Sequence, residues 1–130
     1  MCGLTGFSDF TKSSNSSILQ SMTDVISYRG PDDQGHLIQE FQNALVGLGH
    51  RRLSILDLSP LGHQPYQHKN LTLIFNGEIY NFKEIREKLV SKGYVFESNS
   101  DTEVIIKSFE ADSTRLMQIC EPDLIGQLVL

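Results

Sequence analysis

The chain has no tryptophan, only two cysteines among 130 residues, and no apolar run approaching the length of a membrane span. Spanning a bilayer as a helix takes about 20 consecutive apolar residues, so no such segment is expected. No basic segment followed by an apolar stretch stands near the start, so the expectation is a cytoplasmic protein with no membrane contact. Cys2 and Cys120 are too few for a disulfide scaffold and indicate a reducing compartment. There is no CxxC and no close Cys/His spacing of the zinc kind, and His36, His50, His63 and His68 are dispersed. The histidines are therefore read as surface or hydrogen-bonded residues, and no metal is expected. Positive charge is scarce too: 11 Lys and Arg stand against 16 Asp and Glu, for a formal net charge of −5. Apart from Arg51-Arg52 the basic residues are scattered, which excludes the clustered cations of a nucleic-acid surface.

What is present suits one domain with a modest core. Leu4-Thr5-Gly6-Phe7 reads as a short strand, and the polar run from Ser13 to Ser17 reads as a loop ending in a helix N-cap. Leu19, Met22, Val25 and Ile26 recur at helical spacing, which predicts a helix to about Ser27. Arg29-Gly30-Pro31-Asp32-Asp33 breaks it with turn chemistry. Leu37-Ile38 and Ala44-Leu45-Val46-Gly47-Leu48 predict two strands joined by a polar turn, and Leu71-Thr72-Leu73-Ile74-Phe75 a buried strand. Asn81 with Glu84 resembles a capping box opening a helix that carries Phe82, Ile85 and Leu89 on one face. Gly93 should end it, with Tyr94-Val95-Phe96 as a return strand. Ser100 with Glu103 predicts another capped helix, with Val104, Ile105 and Phe109 inward. Residues 111–114 read as a loop, and Asp123 to Leu130 is mostly apolar with no cap or turn to place it. This order of elements indicates α+β, with helices packed on antiparallel sheet.

Cys2 admits two readings. It is a small hydrophobe near a terminus, or, with Met1 removed, it carries both a thiol and a free α-amine. That amine has an ordinary pKa of about 7.7–8.0 and can act as general base for the thiol of the same residue. N-terminal nucleophiles work this way without a histidine partner.

Cys2 does not stand alone. Cys2-Gly3-Leu4-Thr5-Gly6, Arg29-Gly30-Pro31-Asp32, Gly49-His50-Arg51-Arg52-Leu53-Ser54-Ile55-Leu56-Asp57, Phe75-Asn76-Gly77-Glu78-Ile79-Tyr80-Asn81 and Ser100-Asp101-Thr102-Glu103 follow one another in that order. From Cys2 to about Glu110 the chain resembles the glutaminase domain of glutamine-dependent asparagine synthetases, a class II glutamine amidotransferase domain. The resemblance implies an N-terminal-nucleophile hydrolase fold, a four-layer αββα sandwich. It also implies hydrolysis of glutamine to glutamate and ammonia through a thioester on Cys2. In the family that ammonia passes to ATP-dependent asparagine synthesis from aspartate.

A glutamine substrate offers an α-carboxylate, an α-ammonium and a neutral amide. Arg52 is the candidate for the carboxylate, through two parallel hydrogen bonds, and Arg51 is the candidate surface arginine. The resemblance adds the backbone around Ile55 and Leu56 to the substrate pocket. Glu78 and Asp101 would bind the ammonium, although Asp101 reads equally well as a helix-capping acid and Glu78 as a solvated turn acid. Asn76-Gly77 alone would be a hairpin turn. Set beside Cys2, the Asn76 amide and the Gly77 N–H form a candidate oxyanion hole. His50 is read as structural, and Cys120 receives no role.

The family pattern is matched to residue 110 as a partial amidotransferase domain, while residues 111–130 match nothing in it. Later core strands of the sandwich and the synthetase domain are not seen, so the sequence is expected to be C-terminally incomplete. No cofactor is expected for the glutaminase step, since ATP and Mg belong to the synthetase domain. Expected partners are glutamine and either a separate synthetase chain or a second copy of this one. The alternative is a truncated or frameshifted non-catalytic remnant that at most binds glutamine or a partner chain.

Overall fold

A computed structural model of the chain describes residues 2–54, 60–112 and 128–129. Strand β1 (Gly3–Asp9) leads through a polar loop to helix α1 (Ser16–Val25) and a short 3-10 turn at Ser27–Arg29. Strands β2 (Asp33–Glu40) and β3 (Leu45–Arg52) follow, with a second 3-10 turn at Pro60–Gly62. Then come β4 (Tyr66–His68), β5 (Leu71–Phe75), α2 (Phe82–Ser91), α3 (Asp101–Ala111) and the two-residue β6 (Leu128–Val129). The class is α+β, as the element order indicates.

One antiparallel sheet has the order β1-β3-β2, the other β4-β5-β6. The register pairs Leu4 with His50 and Thr5 with Gly49 across β1 and β3, and Gly35 with His50 across β2 and β3. Side chains alternate across a strand, so β3 sorts into two sets. Gly49 and Arg51 lie under α1. The Arg51 guanidinium donates to the Thr23 carbonyl at 3.1 Å and pairs with Asp24, both on that helix. A Cβ on Gly49 would stand 2.4 Å from both the Thr5 and Thr23 hydroxyls, so glycine is what lets α1 lie this close to the sheet. Leu48, His50 and Arg52 take the opposite face, toward β5.

Strand β5 divides the same way. Leu73 and Phe75 join Ile79, Ile85, Leu89, Val104, Ile105 and Ile106 in the main core, on the side of α2 and α3. Thr72 and Ile74 point the other way, and Asn76, the next position of that set, follows directly after the strand. Gln64 ties the layers from the side: its amide oxygen accepts the Phe75 N–H at 2.6 Å, and its amide nitrogen donates to the Thr102 hydroxyl.

The helix signals hold in part. Asn15 caps α1, accepting the Ile18 N–H at 3.2 Å, and Ser100 caps α3, accepting the Thr102 N–H at 3.1 Å. Asn81 precedes α2 but its side chain makes no capping bond. Glu103 does not reach back to the Ser100 N–H as a capping box would. Its fully buried carboxylate collects the Glu97 and Ser98 N–H groups and the Ser98 hydroxyl, and pairs with Lys107 at 2.9 Å. That network corrects the expected return strand at residues 94–96, which is not a strand in the structure. The Tyr94 N–H closes the end of α2 on the Leu89 carbonyl, and the Val95 carbonyl receives Lys107. The Phe96 ring has the Arg86 and Lys107 cations 4.6 and 4.9 Å from its centre. The Leu89 carbonyl and the side chains of Glu103 and Lys107 occupy polar groups that a neighbouring strand would have used. Conversely β4, which pairs Tyr66 with Leu73 and His68 with Leu71, gave no signal in so short a run. In the tail, Leu128 and Val129 pair with Phe75 and Ile74. The other residues of the tail, Cys120 among them, lie outside the described residues.

Candidate functional site

Antiparallel pairing of Gly3 with Arg51 brings the start of the chain alongside the end of β3. Cys2, partly buried, is held there at both ends. Its Sγ receives the Leu53 N–H at 3.3 Å and lies 3.6 Å from the Leu53 carbonyl, and its own carbonyl accepts the Arg29 Nε–H at 3.1 Å. The Arg29-Gly30-Pro31-Asp32 block builds this corner. A Cβ on Gly30 would sit 2.4 Å from the Arg51 carbonyl carbon and 2.6 Å from that of Arg52, so only glycine lets the loop press against β3. The Asp32 N–H donates to the Arg52 carbonyl at 3.1 Å, and the Asp32 carboxylate accepts the Ser54 N–H at 2.8 Å.

Cys2 and Asn76 line one cleft of about 240 Å³ together with Leu4, Ile26 and Arg29. The alternation explains why. Cys2 and Leu4 belong to the β1 set that faces β5, and Asn76 continues the β5 set that faces β1 and β3. Gly77 and Glu78 follow Asn76 as an exposed turn.

Asp101 is buried at the first position of α3, and its Oδ2 accepts the Ile79 N–H at 3.2 Å, which anchors the turn carrying Asn76, Gly77 and Glu78. Burial raises the Asp101 carboxyl above its ordinary value, and the nearby Glu78 carboxylate adds to the rise. The two acids thus converge electrostatically although 23 positions separate them. Arg52 is buried at the end of β3 with its guanidinium over Gly62, where a Cβ would come within 2.0 Å of it. Arg51 is engaged on the other face of the sheet, by α1. Ile55 and Leu56 lie outside the described residues. His50 is 1% exposed, and burial drives its pKa down to about 4 from 6.5, so at neutral pH it is an uncharged core residue.

Arg29, Asp32 and Leu53 contact or support Cys2 without having been assigned a role from sequence. Arg29-Gly30-Pro31-Asp32 was visible as a block, but a loop motif does not announce which backbone groups it will hold. Among the described residues, no group of three or more His, Cys, Asp or Glu side chains could hold a metal, and no helix is long and apolar enough to cross a membrane.

The family model described as "Glutamine amidotransferase domain" matches residues 1–122, and the chain belongs to that family. It is 38% identical over 125 residues to "Putative asparagine synthetase [glutamine-hydrolyzing] 2" of Methanocaldococcus jannaschii, covering 84% of this chain and 24% of that protein. "Asparagine synthetase [glutamine-hydrolyzing] 1" of Bacillus subtilis is 41% identical over 117 residues, covering 84% of this chain and 17% of that protein. "Amidase chry2" of Gibberella zeae is 34% identical over 123 residues, covering 85% of this chain and 18% of that protein. The chain spans a quarter or less of the length of these relatives. It is a glutamine amidotransferase domain of the kind found in asparagine synthetases.

Proposed function

We propose that the chain is a glutaminase module that converts glutamine and water to glutamate and ammonia, with Cys2 as an N-terminal nucleophile. The observation that carries this reading is the shared cleft of Cys2 and Asn76, contributed by facing sides of two sheets. With Met1 removed, the Cys2 α-amine takes the proton from Sγ, and the thiolate attacks the side-chain carbonyl carbon of glutamine. The oxyanion that forms is met by the Asn76 amide and the Gly77 N–H, a pair of which one member alone typically contributes about 10²–10³ in kcat. Collapse expels the amine, which takes the proton back from the Cys2 ammonium and leaves as ammonia. Water then attacks the γ-glutamyl thioester, releasing glutamate and the thiol.

Arg52 takes the α-carboxylate, and Glu78 with Asp101 the α-ammonium. A cation between these two acids would relieve the burial and like-charge strain that raises the Asp101 carboxyl. In fold terms the reading is the αββα sandwich of N-terminal-nucleophile hydrolases. It is supported by α1 packed on the outer face of β1 and β3, and by α2 and α3 on the outer face of β5. The names of two relatives support asparagine synthesis, on a separate domain or chain, as the destination of the ammonia.

The test is ammonia release from glutamine by protein whose N-terminus has been verified by mass spectrometry. Cys2→Ala is expected to abolish it and Cys120→Ala to leave it largely unchanged. Turnover surviving in Cys2→Ala would remove the mechanism, as would turnover by protein that retains Met1.

A further inference from the structure

We propose that Asp32 is a positioning residue for the nucleophile and for glutamine recognition, acting through the backbone of residues 52–54. This assignment rests on reading Cys2 as the nucleophile and Arg52 as the carboxylate-binding cation. The Asp32 carboxylate holds the Ser54 N–H at 2.8 Å, while the Asp32 N–H donates to the Arg52 carbonyl at 3.1 Å. Two bonds from one residue therefore bracket Leu53, whose own N–H is aimed at Cys2 Sγ at 3.3 Å. Next to it, Arg52 extends its guanidinium over Gly62.

The segment needs such a clamp because the β3 ladder ends at Arg52, so among the described residues Leu53 and Ser54 lie past the last strand pair. Gly30, seated against the Arg51 and Arg52 backbone with no room for a Cβ, brings the Asp32 loop close enough to reach. Arg29 completes the corner on the Cys2 carbonyl. The chemical consequence is specific. A peptide N–H held at the sulfur fixes the direction in which Sγ meets an incoming electrophile, and the same peptide sets the direction from which Arg52 approaches the substrate carboxylate. Hydrogen bonds to ionised groups are worth more than neutral ones, and a displacement of about 1 Å near reacting atoms can cost on the order of 10²-fold in rate.

The experiment compares Asp32→Ala, Asp32→Asn and Asp9→Ala with wild type. Two quantities are read: the rate of Cys2 alkylation by iodoacetamide at one neutral pH without glutamine, and KM and kcat for glutamine. Asp32→Ala is expected to slow alkylation about tenfold and raise KM about tenfold, the size expected for losing one hydrogen bond to a charged group. Asp32→Asn keeps an oxygen acceptor at the same place without the charge and should restore most of both, leaving each between Asp32→Ala and wild type. Asp9 accepts the N–H groups of Thr11, Ser13 and Ser14 in a remote turn, so Asp9→Ala should change neither. If thermal unfolding shows that Asp32→Ala does not fold, Ser54→Pro removes the same bond from the donor side and carries the same expectation. Alkylation at the wild-type rate or faster in the folded variant overturns the proposal. Slowed alkylation in Asp32→Ala with no turnover in wild type would instead sink the glutaminase reading and leave the clamp on Cys2 standing.

Discussion

At the scale of single residues, adjacent positions in this chain have opposite duties because a strand sends them to opposite faces. Arg51 and Arg52 look alike in sequence, yet one is pinned by Thr23 and Asp24 on α1 while the other ends β3 buried over Gly62. The consequence is measurable. Arg52→Lys replaces a planar fork with a point charge and should raise KM for glutamine about 10–100-fold, the range expected for lost hydrogen bonds to a charged group. Arg51→Lys should leave KM within a few-fold and show its effect in thermal stability. Steady-state kinetics on both variants decides it, and equal KM shifts would mean that the carboxylate is bound elsewhere. Sequence alone could name Arg52 only through its resemblance block, since a bare Arg-Arg pair does not say which member faces inward.

Among the elements, the stretch from the end of α2 into α3 depends on one buried acid. Burial alone would raise the Glu103 carboxyl, but the Ser98 hydroxyl, the Glu97 and Ser98 N–H groups and Lys107 outweigh it and hold the carboxyl below its usual range. Removing that acid strands all of these partners together. Glu103→Ala should therefore cost about 3–5 kcal/mol, as for one partner taken from a buried ion pair. Ser100→Ala, which removes only a helix cap, should cost about 1 kcal/mol. Urea unfolding of the two variants measures the difference. Comparable losses would show that the cap, and not the Glu103 network, fixes residues 94–98. The sequence marked Ser100 and Glu103 correctly as a helix start but assigned Glu103 the wrong partners. Its rule for three-residue spacing cannot foresee that a neighbouring loop will present three better donors.

For the molecule as a whole, the face of β3 that meets β5 carries a consequence for pH. His50 is buried there with a pKa of about 4, against 6.5 for an ordinary histidine. Between those values the unfolded chain binds a proton that the folded chain refuses, so stability rises with pH across the window and falls as pH drops from about 6.5 to 4. The difference corresponds to about 3 kcal/mol, a large part of the roughly 5–15 kcal/mol of a small domain. His36, also held below its ordinary value by burial, acts in the same direction, and Asp101, held above its own, acts against it. Unfolding free energies at pH 7 and pH 4.5 should therefore differ more in wild type than in His50→Leu. Equal differences would show that His50 titrates normally.

The sequence by itself determined the class, an N-cap within the run from Ser13 to Ser17, the helix start at Ser100, most of the strands and the resemblance blocks that nominate the site. These are set by local periodicity, capping chemistry and short motifs, all of which act over a few residues. Tertiary structure alone decided the partners of those residues. Asn76 reaches the Cys2 cleft because β5 and β1 present matching faces of two sheets. Asp101 anchors the Asn76 turn because α3 starts beside it. Asp32 holds Ser54 because Gly30 leaves room for the loop to close on β3. Each of these contacts joins positions more than 20 residues apart. Their geometry follows from how layers pack, which no local pattern encodes.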